Sequence, residues 1–148
     1  MEIIKNIREE NDLVQKDVAD ILGIERSTYS SYEIGRDTIP LKHLNTLCNY
    51  FDISLDYAMG LSKVKKYKYS KKDIDKAKIK IRLKEFRKEN NLTQQEISNI
   101  LNTSRSTWTG YESGNFLIST LLLYELSRRY KYSMDYILGK IDEPSKLK

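Results

Sequence analysis

The stretch RSTYSSYEIG, Arg26 to Gly35, returns 79 residues later as RSTWTGYESG, Arg105 to Gly114, and this duplication constrains the chain more than any other feature. Sliding the sequence by that offset aligns 3–60 on 82–139 without a gap, with about 21 of the 58 positions identical. A repeat of that size is a whole small domain, because solenoid units are shorter and more numerous. Two domains of roughly 60 residues therefore account for most of the chain, a length at which well-packed helices fold alone. The boundaries that follow are 1–61 for the first domain, 62–77 for a connecting segment, 78–140 for the second domain and 141–148 for a tail.

Each copy reads as a run of short helices, so the expected fold class is all-α. Ile4 and Ile7 form the inner face of an opening helix; Val18, Ile21 and Leu22 follow at helical spacing from a start near Gln15, and Gly23 breaks the pattern. Tyr29 and Tyr32 share one face of a third helix that Gly35 stops. Leu44, Leu47, Cys48 and Phe51 make the stripe of a fourth, and Ser54 to Met59 is a fifth. In the second copy, Thr93 with Glu96 forms a capping box for the second helix, and Ser104 caps the third. The first copy has Val14 and Glu25 in those places. A missing cap costs about 1 kcal/mol, so its second and third helices are expected to begin less firmly.

Charge is unevenly spread. Residues 1–61 hold six basic against eleven acidic side chains, a balance of −5, whereas 62–81 hold nine against two, a balance of +7. The second copy, 82–140, carries nine against six, and the tail is neutral. A basic middle such as KVKKYKYSKK, Lys63 to Lys72, suits either phosphate attraction or a solvated connection kept soluble by lysines. Several classes are disfavoured outright. No apolar run approaches the roughly 18 residues of a membrane span, and MEIIKNIREEN is not a secretion segment, so a soluble, cytoplasmic protein is expected. Cys48 stands alone and forms no internal disulfide. With His43 as the sole histidine, no catalytic residues, no metal site and no cofactor are expected, since zinc takes about four ligands. The six glycines sit at helix ends or repeat positions and form no phosphate-binding loop.

In the first copy, Leu13, Gln15, Val18, Ala19, Leu22, Gly23 and Ile24 are followed by Arg26-Ser27-Thr28, Tyr32-Glu33 and Gly35. Leu44, Leu47 and Ser54-Leu55-Asp56-Tyr57 complete the pattern. This order resembles the Cro-like or Xre-like helix-turn-helix family of phage repressors and bacterial regulators. The second copy resembles it through Leu92, Gln94, Ile97, Leu101, Arg105, Ser106, Thr107, Tyr111, Glu112, Gly114, Leu123, Leu126 and Ser133-Met134-Asp135-Tyr136.

The resemblance implies two tandem five-helix, lambda-repressor-like DNA-binding domains joined by a basic linker, in a bacterial or phage-encoded regulator, more specifically a repressor. The third helix would enter the major groove of double-stranded DNA while the second crosses the backbone. Carried over by position, Arg26, Ser27, Ser30, Ser31 and Arg36 would face DNA in the first copy, and Arg105, Ser106, Thr109, Gly110 and Asn115 in the second. Gln15 and Gln94 would meet phosphate at the start of the second helix. Arg26 and Arg105 are the candidates for base contact, because an arginine donates two hydrogen bonds to guanine. Arg8 and Arg87 would form internal ion pairs with Glu33 and Glu112, and Tyr29, Trp108, Tyr32 and Tyr111 would close the core.

The resemblance also bears on assembly and affinity. An extended 62–81 segment spans at most about 60 Å, enough for half-sites about 34 Å apart. The second copy, basic and better capped, is expected to hold DNA more strongly than the first. A homodimer or a regulatory protein partner fits the same fold, no small-molecule ligand is implied, and an interaction module such as an antitoxin is the alternative.

Overall fold

The computed structural model describes residues 2–68 and 70–148; Tyr69, inside the lysine-rich segment noted above, lies outside the described residues, as does Met1. The chain divides into two compact units, Met1–Lys72 and Asp73–Leu147. The first holds helices α1 (Glu2–Glu10), α2 (Gln15–Leu22), α3 (Arg26–Glu33), α4 (Leu41–Phe51) and α5 (Leu55–Ala58). The second holds α6 (Lys76–Glu89), α7 (Gln94–Ile100), α8 (Arg105–Ser113), α9 (Thr120–Tyr130) and α10 (Met134–Ile137). The all-helical, two-domain expectation is met. Among the described residues the β-structure is one antiparallel bridge, between Tyr132 and Lys146.

The 79-residue offset governs the interior as well as the sequence. Ile4, Val18, Tyr29, Leu44, Leu47 and Leu55 are buried in the first unit, and Leu83, Ile97, Trp108, Leu123, Leu126 and Met134 take the matching places in the second. Each such side chain contributes about 1.5–3 kcal/mol by leaving water, so these matched sets hold the helices of each unit together. The turns are matched too. Left-handed backbone recurs at Asp12 and Asn91, Gly23 and Asn102, Gly35 and Gly114, Asp52 and Lys131, and Gly60 and Gly139. At the turn between the second and third helices, glycine gives way to asparagine, the side chain that tolerates this conformation best after glycine.

Helix starts differ as their residues dictate. Thr93 Oγ1 accepts from Glu96 N at 3.0 Å while the Glu96 carboxylate accepts from Thr93 N at 3.0 Å, and Ser104 Oγ accepts from Thr107 N at 3.1 Å. Neither Val14 nor Glu25 supplies a side-chain cap. The start of α2 is nonetheless partly secured, because Asp17 Oδ2 accepts from Val14 N at 2.8 Å. The acidic half of the capping box survives where the hydroxyl half is lost.

The segment expected as a linker and the segment expected as a tail are structured parts of the two units. Ser54 N donates to Lys65 O at 2.6 Å and Ser54 Oγ to Val64 O at 2.9 Å, so 62–68 runs back over the turn between α4 and α5. Tyr67 OH to Asp56 at 2.8 Å and Asn49 Nδ2 to Lys72 O at 3.1 Å tie it further. In the second unit, Ser133 N donates to Ser145 O at 2.7 Å and Leu147 N to Lys131 O at 2.8 Å, placing 141–147 on the equivalent turn. The cause is shared: a buried turn leaves backbone polar groups that must find partners.

Two expectations change with this finding. A reach of about 60 Å does not apply to a segment tied down in this way. The first unit is also not acidic as a folded body, since 1–72 carry twelve basic against eleven acidic residues, a balance of +1.

Candidate nucleic-acid interface

The third helix of each unit is buried along one side and exposed along the other. Tyr29 and Tyr32 are buried in α3, as are Trp108 and Tyr111 in α8, so these rings are core. Arg26 and Ser27 are exposed and Ser30 half-exposed on α3; Arg105, Ser106 and Thr109 are exposed on α8. Arg105, Thr109 and Ser113 follow one another at four-residue spacing, which lines them up along one edge of the helix. In α3 the same edge carries Arg26 and Ser30 and ends on Ile34, which is exposed.

A chain of polar contacts fixes this surface relative to the rest of each unit. Arg8 forms a two-pronged pair with Glu33, at 2.8 Å from Nε and 3.1 Å from Nη2, and its Nη1 donates to Leu13 O at 2.7 Å. Glu33 also accepts from Tyr29 OH and from Gln15 Nε2, the latter at 3.0 Å. Gln15 Oε1 in turn accepts from Arg26 Nη1 at 3.0 Å. The second unit repeats the scheme. Arg87 meets Glu112 at 2.6 and 3.0 Å and donates to Leu92 O at 3.0 Å. Trp108 Nε1 also donates to Glu112, while Gln94 Nε2 donates to Glu112 Oε1 at 3.4 Å and Gln94 Oε1 accepts from Thr109 Oγ1 at 3.3 Å. The opening helix, the second and the third are thereby locked together through one carboxylate.

That carboxylate is ionised for a physical reason. Burial alone would raise the Glu33 carboxyl, but hydrogen bonds from Arg8, Tyr29 and Gln15 outweigh burial and hold it below the usual carboxylate range. Glu112 is held down in the same way by Arg87, Trp108 and Gln94 against the same burial. Burial and the neighbouring Glu33 push the Tyr29 phenol up, so it stays a neutral donor.

Two of the residues placed on the DNA-facing side by position are not on it. Ser31 is buried: its Oγ donates to Thr28 O at 2.7 Å and to Asp37 Oδ2 at 2.9 Å, closing the end of α3. Gly110 is buried under the Phe116 ring, and a Cβ there would lie 2.0 Å from a ring carbon. It therefore leaves no gap in a reading surface; it is the position that lets Phe116 pack. The reason is angular, since Ser31 and Gly110 lie one residue beyond Ser30 and Thr109, about 100° further round the helix.

The remaining candidates keep their exposure. Arg36 and Asn115 are exposed just after the third helices, and Gln15 and Gln94 are half-buried at the starts of α2 and α7. The amides of Gln15 and Gln94 donate to Glu33 and Glu112 and accept from Arg26 and Thr109, a linking role that single-residue carry-over misses. The exposed apolar side chains Phe116, Leu117 and Leu121 around the end of α8 also escape a reading based on helix periodicity, because they lie in a loop and at a helix start. Among the described residues no group of His, Cys, Asp or Glu is arranged to hold a metal ion, and no helix is long and apolar enough to cross a membrane.

Residues 4–57 match a family described as helix-turn-helix, and residues 81–143 match one described as helix-turn-helix domain. Among relatives, an uncharacterized HTH-type transcriptional regulator of Bacillus subtilis, YqaE, is 40% identical over 58 residues, which are 39% of this chain and 50% of that protein. A second from the same organism, YobD, is 32% identical over 59 residues, covering 40% of this chain and 53% of that protein. Antitoxin PezA of Streptococcus pneumoniae is 33% identical over 61 residues, 41% of this chain and 39% of that protein. The chain thus spans about half the length of the two regulators it matches. No solved structure is matched.

Proposed function

The chain belongs to the helix-turn-helix family twice over, and from that premise we propose that it binds double-stranded DNA sequence-specifically and regulates transcription, as a repressor acting in the cytoplasm of a bacterium. The observation that carries this reading is the edge formed by Arg105, Thr109 and Ser113, with Arg26 and Ser30 in the first unit, each held by a carboxylate relay to the body of its domain. A major groove about 12 Å wide admits such a helix, whose first turn then meets base edges. Arg26 and Arg105 stand in that first turn. Glutamine at the start of the second helix orients the surface, and its helix start favours a phosphate.

The two domains contribute unequally. Glu25 stands at the start of α3 where Ser104 stands in α8, so a carboxylate opposes phosphate in the first domain only. The second domain supplies more of the affinity. Selection of bound sites from random duplexes by the full chain tests the proposal. We expect an enriched site whose recognition weakens about 5- to 150-fold at one base pair in Arg105→Ala, equivalent to about 1–3 kcal/mol, with a smaller loss in Arg26→Ala. Failure of the wild-type chain to enrich any site at low salt overturns it.

A second reading, a protein-interaction module such as an antitoxin, draws on the exposed Phe116, Leu117 and Leu121 and on the antitoxin relative. A chain that binds a protein through those residues, yet leaves the mobility of the DNA upstream of its own gene unchanged, would favour that reading instead.

A further inference from the structure

Helix α6 begins at Lys76, ahead of the segment that aligns with the first domain, and this added turn carries Lys76 and Lys80 four residues apart on one face. That face lies against the end of α8. The Lys80 stem runs over the turn at Gly114, where a Cβ would come within 3.3 Å of Lys80 Cδ. Lys76, Lys80, Asn115 and Phe116 line one side-by-side notch of about 90 Å³. Lys78, on another face, is committed to Asp142 at 3.1 Å. Lys76 and Lys80 are exposed, and among the described residues their side chains form no ion pair or hydrogen bond.

The notch lies at the C-terminal end of α8, lined by Gly114 and Asn115, which directly follow Ser113 in the chain. Nine residues at about 1.5 Å each make α8 roughly 13 Å long, about the width of the major groove, so its far end arrives at the sugar-phosphate wall when its first turn meets the bases. Two unpaired ammonium groups at that end, beside the Asn115 amide, are placed for phosphate and not for a base edge. We infer that Lys76 and Lys80 form a second, sequence-independent phosphate contact of the second domain, extending its footprint beyond the third helix. The inference rests on the DNA-binding reading above and adds a specific strand contact to it.

The test is the salt dependence of binding by the full-length Lys76→Gln/Lys80→Gln variant on a duplex selected by the wild-type chain. Losing two phosphate contacts lowers the slope of log K against log salt by about 1.8. Between 50 and 200 mM salt the wild type should therefore lose roughly 12-fold more affinity than the variant. A Lys131→Gln/Lys146→Gln variant removes equal charge from exposed positions elsewhere and should keep the wild-type slope. A Lys76/Lys80 variant with the wild-type slope and affinity overturns the inference while leaving the DNA-binding reading intact. A wild-type chain that retains no duplex overturns both.

Discussion

Where the first unit closes its third helix with a hydrogen bond from Ser31 to Asp37, the second lays the Phe116 ring on the bare backbone of Gly110, at the same two aligned positions. One solution is polar and spends a buried hydroxyl; the other is apolar and needs the absence of a Cβ. Both hold the loop that carries Arg36 or Asn115. Each half is unsuited to the other's partner: a serine at 110 collides with the ring, and a glycine at 31 leaves Asp37 without the Ser31 donor. A similar exchange occurs on the opening helix, where Ile3 of the first unit corresponds to Arg82 of the second. Arg82 lies over the Tyr136 ring at 4.1 Å, donates to Ile141 O at 2.7 Å and pairs with Asp142 at 2.8 Å. The lesson is that the frame is shared while surface chemistry at its edges is local to each unit.

The largest expected effects break the shared frame one unit at a time. Glu112→Ala strands the half-buried Arg87 and should cost about 3 kcal/mol, and Glu33→Ala, which strands the buried Arg8, about 3–5 kcal/mol. Trp108 is the sole tryptophan and is buried in the second unit, so its fluorescence reports that unit while circular dichroism reports both. Glu112→Ala should lower the fluorescence transition; Glu33→Ala should lower only the dichroism transition. Equal movement of the Trp108 signal in both variants would contradict two self-contained relays.

Acid acts on the same pairs more gradually. Both glutamates titrate below their ordinary range when folded. Their stabilisation is therefore complete above the unfolded value of about 4.3 and is lost as pH falls through the lower folded values. Urea midpoints should stay flat from neutrality to about pH 5 and decline below it. Glu112→Gln should flatten that decline in the fluorescence signal alone.

The helix-end exchange sharpens the comparison at a smaller scale. Gly110→Ser should destabilise the second unit by about 1–3 kcal/mol through overpacking against Phe116. Adding Phe116→Asp, which installs the first unit's pair, should recover about 1 kcal/mol of that loss in a double-mutant cycle. Additive effects in thermal melts would show that the two positions do not communicate. The smallest effects concern the helix starts. Thr93→Ala should cost about 1 kcal/mol, and Val14→Thr should gain up to that amount, because Asp17 already supplies the reciprocal half of the box. An unchanged midpoint in Val14→Thr would mean that Asp17 alone suffices.

Much of this protein was determined by its sequence alone. The 79-residue repeat fixed two all-helical domains, because apolar side chains at helical spacing have one way to leave water together, and that spacing recurs at Leu44 and Leu123 or Leu47 and Leu126. The arginine–glutamate pairing and the exposed first turn of the third helix were legible for the same reason, through position within a known pattern. Tertiary structure decided what depended on direction and on distant partners. Whether Ser31 and Gly110 face outward turns on a 100° step around a helix and on a loop residue six positions away. Whether 62–72 is a linker turns on donors at Ser54 and Asn49 that reach the carbonyls of Val64, Lys65 and Lys72 only once α4 and α5 have met. Local spacing encodes which face is apolar; only packing shows which polar groups are left to be satisfied, and by whom.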